Sequence, residues 1–129
     1  MCSSDLASRK AIALKDLAGE TFIGMADQAP VLRSITEDYI RRSGIDLKAA
    51  HRVEYLSMAM SLVASTRGVA LLPDYARNFL TLSVISRPLA GAAPSIDLVL
   101  GHHKANNAPL LKTFLSRVDD MIGHVLQRA

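Results

Sequence analysis

From residue 14 onward the chain alternates between two hydrophobic periods, and that alternation predicts strands and helices taking turns. Residues 21–25 (TFIGM) are a short apolar run closed by Ala26, Asp27 and Gln28, which reads as a buried strand and its exit loop. Pro30 then opens a helix: its missing N–H costs nothing in a first turn, and Leu32, Ile35 and Tyr39 recur on one face at spacings of three and four. Arg41 and Arg42 stand where a helix dipole favours cations, and Gly44 is the stop. A second unit follows, with residues 52–56 (RVEYL) as the strand, Ser57 as a candidate N-cap and residues 58–66 as the helix. Gly68 closes that helix, residues 69–72 (VALL) predict a third buried strand cut off by Pro73, and residues 74–80 predict a short helix.

Residues 82–89 are strand-like but end in Arg87 and Pro88, and residues 91–94 (GAAP) are the clearest internal loop. Residues 96–103 (IDLVLGHH) alternate as a strand does, with Ile96, Leu98, Leu100 and His102 on one face. Pro109 opens the last and longest helix. There Leu111, Phe114, Val118, Met121 and Val125 step by three and four, with Leu115 and Ile122 widening the stripe. The stripe is too short to argue a coiled-coil seam, so packing on a sheet is the expected use. Short apolar strands alternating with helices predict an α/β fold with a mostly parallel sheet covered on both faces. No internal repeat or low-complexity tract interrupts the pattern.

Composition narrows the picture. A chain of 129 residues that is 50% hydrophobic and 21% charged has the balance of one globular domain. Aromatic residues are 5% with no Trp, so the core must be aliphatic, and stacking surfaces for bases are scarce. The net charge of +3 is small and its Arg and Lys are scattered, which argues against a DNA-reading surface on this chain. Cys2 is the only cysteine, which excludes an internal disulfide and a cysteine zinc site and suits a reducing cytoplasm. No apolar run approaches the roughly 20 residues of a membrane span, and the start of the chain lacks a secretory pattern. Residues 1–6 (MCSSDL) carry no periodicity, and their back-translation is compatible with the constant end of a sequencing adapter; the other reading is an ordinary disordered terminus.

The polar residues offer little catalytic chemistry. His102 and His103 are adjacent, with Asp97 nearby, but neighbours on a strand point to opposite faces and cannot converge on one metal ion. Ser57 and Ser61 lie one helical turn apart without a GxSxG elbow, and neither a GxxxxGK nor a GxGxxG loop is present. Asp119 and Asp120 fall on the polar side of the last helix. No catalytic residue, metal ligand or cofactor is therefore expected. What remains is a ligand site at the carboxyl ends of the strands, where the helices opening at Pro30 and Ser57 would direct free N–H groups into one crevice and favour an anion such as a carboxylate. The Ser57 hydroxyl has two uses open to it, capping its helix or touching a ligand.

The run Leu62-Val63-Ala64-Ser65-Thr66-Arg67-Gly68-Val69-Ala70-Leu71-Leu72-Pro73 resembles the helix-turn-strand signature of the effector-binding domain of LysR-type transcriptional regulators. Leu14-Lys15-Asp16-Leu17-Ala18-Gly19-Glu20-Thr21-Phe22-Ile23 resembles the approach to the first strand of that domain's second lobe. Ser86-Arg87-Pro88-Leu89 resembles its short "rPL" strand, and Leu98-Val99-Leu100 with Pro109 and Phe114 its return strand and closing helix. The likeness covers residues 12–123. One departure stands at Thr66, where the family usually carries the first of a glycine pair; a threonine fits there if the helix simply continues to Arg67.

The resemblance implies a periplasmic-binding-protein-like (type 2) pair of α/β lobes with an effector pocket between them. On that reading residues 1–11 are a disordered or artefactual start, residues 12–95 the complete second lobe, and residues 96–129 the crossover strand and C-terminal helix of a first lobe otherwise missing. The expected function is ligand sensing in a cytoplasmic, homo-oligomeric bacterial regulator that is not an enzyme and touches DNA only through an absent N-terminal helix-turn-helix. A free-standing small-molecule receptor of the same fold is the alternative. The expected effector cleft is lined by Gly24, Met25 and Ala26 after the first strand, by Ser57 and Met58 at the second helix start, and by His102 at the crossover. The last helix, parted from the first-lobe sheet, is expected either to detach or to drive self-association.

Overall fold

The alternation becomes a small parallel sheet flanked by helices in a computed structural model that describes residues 4–97 and 99–126. Residues 1–3, with Cys2, Leu98 and residues 127–129 lie outside the described residues, as do the side chains of Ser4, Asp119, His124, Val125 and Leu126. In chain order come α1 (Ser4–Ser8), a 3-10 turn (Leu14–Leu17), β1 (Phe22–Met25), α2 (Pro30–Arg42), β2 (Ala49–Val53), α3 (Leu56–Thr66), β3 (Val69–Ala70), a second 3-10 segment (Asp74–Phe79) and α4 (Pro109–Leu126). The chain divides into two compact units, Met1–Ile96 and Asp97–Ala129.

The sheet of the first unit runs in the order β2-β1-β3, with both pairs parallel. All four residues of β1 are buried, as a central parallel strand requires. Successive side chains of a strand point to opposite faces, so β1 feeds two cores. Phe22 joins Ile12, Leu14, Leu17, Ile40 and Leu47, whereas Ile23 and Met25 join Val53 and Ala59. α2 serves both cores, with Leu32 packing on the second and Tyr39 on the first. Pro30 does open this helix, and Ser43 closes it before Gly44 at φ +66.

Several elements differ from the sequence expectation. β2 lies three residues earlier than the RVEYL run, because its place is set by backbone pairing of Ile23, Gly24 and Met25 with His51, Arg52 and Val53. As an edge strand it is mostly exposed, so its first residues carry no apolar signal. β3 shortens to two residues. Residues 82–89 form no strand; only Leu89 makes an isolated parallel bridge, to Ile12. Ile12 donates its N–H to the Pro88 carbonyl (3.0 Å) and accepts from the Ala90 N–H (2.8 Å). Residues 96–103 form no strand among the described residues either, since an alternating pattern needs a partner ladder and none pairs with it there.

The start of the chain is not without structure. Residues 4–8 form α1, Leu6 packs on the first core, and Arg87 donates from Nε (3.1 Å) and Nη2 (2.7 Å) to the Ala7 carbonyl. The turn after α3 departs from the expected continuation through Arg67. The helix ends at Thr66, and Arg67 takes the left-handed conformation at φ 55, rare for a residue with a Cβ. Gly68 is needed next to it for a different reason: a Cβ there would stand 2.4 Å from the Thr21 carbonyl oxygen.

In the second unit, α4 follows an irregular stretch, and the Asn106 side chain accepts the Ala108 N–H (3.0 Å) just before Pro109. Leu110, Phe114, Met121 and Ile122 on this helix are exposed, as are Val99 and Leu100 before it. No helix among the described residues is long and apolar enough to cross a membrane.

Candidate functional site

Because β1 and β2 are parallel, both leave the sheet at the same edge, and the helices that follow them start there. Their first-turn N–H groups have no intrahelical partner, and their dipoles place partial positive charge at that edge. α2 begins five residues after Met25 and α3 begins three after Val53, so only short turns separate the helix starts from the strand ends.

The six expected site residues do not play equal parts. Gly24 and Met25 lie within β1 and are buried; the Met25 side chain belongs to the second core, and its carbonyl accepts from Arg52 Nη1 (3.1 Å). Neither presents a free polar group at the edge. Ala26 is the first residue of the exit turn, half-buried, with its N–H bonded to the Val53 carbonyl (2.8 Å). Ser57 and Met58 are exposed in the first turn of α3. His102 belongs to the second unit, in an exposed local turn where its Nδ1 lies 3.4 Å from the His103 carbonyl.

The N-cap reading of Ser57 is corrected. α3 starts two residues sooner, with Tyr55 as its extended N-cap and no side-chain capping bond. Ser57 therefore sits inside the first turn, and its carbonyl, not its hydroxyl, is engaged, by Ser61 Oγ (3.0 Å). The Ser57 hydroxyl makes no hydrogen bond among the described residues and faces solvent. Of the two uses open to it in sequence, capping is removed.

Sequence reasoning missed a charged cluster beside this edge. Arg33 pairs with Asp27 and with Glu37 (3.0 Å), and Glu37 also takes Arg52 (2.8 Å). The Arg52 hydrogen bond, then that from Arg33, holds the Glu37 carboxyl below its ordinary value. The spacing of Arg33 and Glu37 was a visible signal, but the approach of Arg52 depends on the β2 register and left no trace in the sequence. The cluster borders a groove of about 440 Å³ between α2 and β2, whose lining includes Gly24, Thr36, Ile40 and Ala49. Its cations are all matched, Arg41 by Asp38 and Lys48 by Asp46 in addition to the pairs above. Among the described residues no group of three or more His, Cys, Asp or Glu side chains is placed to hold a metal ion.

Comparison with known proteins agrees with this architecture. The sequence model of the LysR substrate binding domain matches residues 1–122. The Hca operon transcriptional activator HcaR of Escherichia coli (strain K12) is 38% identical over 68 residues, which are 53% of this chain and 23% of that protein. The HTH-type transcriptional regulator AlsR of Bacillus subtilis (strain 168) is 25% identical over 111 residues, 85% of this chain and 37% of that protein. The chain thus spans well under half the length of either relative. With the family match covering nearly all of its residues, this chain belongs to the LysR substrate-binding domain family.

Proposed function

We propose that the chain is the effector-sensing part of a LysR-type regulator, and that a small molecule binds at the carboxyl edge of the β2-β1-β3 sheet. The observation that carries this reading is the pairing of two helix starts at one sheet edge, with an exposed, unbonded Ser57 hydroxyl in the first turn of the second, in a chain of this family. Ala26 and the exit turn of β1 form one wall, Ser57 and Met58 the other, with Gly24 and Met25 behind as support. First-turn N–H groups and a hydroxyl suit a carboxylate or a similarly compact anion, which gains from both hydrogen bonds and the helix dipoles. His102, on the second unit, carries no weight in this reading.

In the whole regulator, binding shifts the balance between arrangements of this lobe and a second one, and the shift reaches a separate DNA-binding segment through a homo-oligomer. This reading makes the protein a cytoplasmic sensor, not an enzyme. The test is DNA binding with and without candidate carboxylates. A full-length protein of the relatives' size should bind DNA sequence-selectively, with a footprint that changes on addition of the effector. The 129-residue chain alone should bind only weakly and without preference, since its modest charge supplies little beyond nonspecific attraction. Tight, sequence-selective binding by this chain alone would contradict the reading.

A further inference from the structure

Four charged side chains that the effector reading does not use form a closed ring behind the proposed site. Arg52, on the edge strand β2, donates from Nη1 to the Met25 carbonyl (3.1 Å) and to Glu37 Oε1 (2.8 Å). The same Glu37 oxygen accepts from Arg33 Nε (3.0 Å), and Arg33 Nη1 meets the Asp27 carboxylate. Met25 and Asp27 are two residues apart, so the short arc of the ring is the turn through Ala26 that leaves β1. Gly24 lets β2 lie close beside β1 here: a Cβ there would stand 2.9 Å from Ala49 Cβ. The turn is thus held on the sheet side by the bond from the Ala26 N–H to Val53, and on the α2 side by the ring.

We infer that Arg52 and Glu37 are positioning residues for this site: through the ring they fix where the turn after β1 stands, without touching the bound molecule themselves. The inference rests on the effector reading for the identity of the site, but the ring's hold on the turn does not depend on any ligand. The links are unequal. Asp27 is 86% exposed, and an ion pair in that setting is weak and screened by salt. The bond from Arg52 to a backbone carbonyl is partly buried and charge-assisted, so it dominates. A ring that only clamped α2 to the sheet would act on the whole helix, whereas a positioning ring acts on the turn.

Amide hydrogen exchange on the whole chain separates the two. In Arg52→Ala the N–H groups of Ala26 and Ala29, bonded to the Val53 and Ala26 carbonyls, should exchange about three- to tenfold faster. The Val69 N–H, bonded to Thr21, and the amides of α2 beyond its first turn should keep their rates. Arg52→Lys should recover part of the protection by keeping a cation near the carbonyl, and Glu37→Gln should give a smaller effect than Arg52→Ala. Should Arg52→Ala fail to fold, Arg52→Met, which keeps the apolar stem on the sheet and removes only the guanidinium, provides the same contrast. Unchanged rates at Ala26 and Ala29, or faster exchange along all of α2, would overturn the inference. A ligand-free readout keeps that outcome distinct from failure of the effector reading, which is tested through Ser57.

Discussion

Residues 22–25 and residues 96–103 carry comparable strand patterns, yet the first forms the centre of a sheet and the second forms no strand among its described residues. Phe22–Met25 pairs with β2 on one side and, at Phe22 and Ile23, with β3 on the other, and has an apolar core on each face. Ile96, Val99 and Leu100 are exposed, and among the described residues no ladder pairs with them. An alternating pattern states that a segment is able to pair; neighbours decide whether it does. The same division sets the buried aliphatic residues of the first unit against the exposed apolar stripe of α4 in the second.

Matched substitutions in the two regions should differ most where burial differs most. Ile23 is 2% exposed, and Ile23→Ala should destabilise the protein by roughly 2–5 kcal/mol, whereas Val99→Ala should stay within about 0.5 kcal/mol in chemical denaturation. Equal effects would erase the contrast. Glycines offer a second pair. Gly68→Ala drives a Cβ to 2.4 Å from the Thr21 carbonyl, beside the Val69 bond that joins β3 to β1, and should cost about 1–3 kcal/mol. Gly101 has nothing within 4 Å of its would-be Cβ, so Gly101→Ala should leave the melting temperature unchanged.

The apolar stripe of α4 predicts concentration-dependent association of the chain. Phe114→Glu should reduce the weight-average mass seen by light scattering at micromolar concentration, because exposed apolar faces of this kind associate. A monomeric wild type with α4 amides as protected as those of β1 would contradict this. The smallest effect concerns acid. Because Arg52 and Arg33 hold the Glu37 carboxyl below its ordinary 4.5, the pair's stability is present above that value and is lost as pH falls through the lowered one. Glu37 is about half exposed, so the gain is screened to below about 1 kcal/mol. Glu37→Gln should lie slightly below wild type in stability at neutral pH, and the gap should close on acidification.

How much of this was legible in sequence follows from what each feature depends on. β1 and α2 were readable because their signals are local: a buried apolar run, a proline at the first turn, basic residues and a glycine at the end. β2 was displaced because an edge strand borrows its hydrogen bonds from β1 and needs no apolar side chains of its own, so the apolar residues of RVEYL marked the approach to α3. Residues 82–89 form no strand because Ile12, far away along the chain, supplies a partner to Leu89 alone. At the site, the two helix starts were foreseen, while the ring through Arg52 was not, since it depends on a register set across strands. The family was legible because its motifs keep their order along the chain.

The central claim is that the carboxyl edge of the sheet receives the effector, and Ser57 tests it most directly. In the full-length regulator, with the small carboxylate that most raises its melting temperature, Ser57→Ala should weaken binding by roughly 0.5–1.5 kcal/mol, or more if the hydroxyl bonds a charged oxygen. Ser61→Ala, which removes a hydroxyl one turn further along α3 that is already spent on the Ser57 carbonyl, should leave affinity unchanged. Titration calorimetry showing Ser57→Ala and Ser61→Ala both at wild-type affinity, with intact folds, would contradict the account.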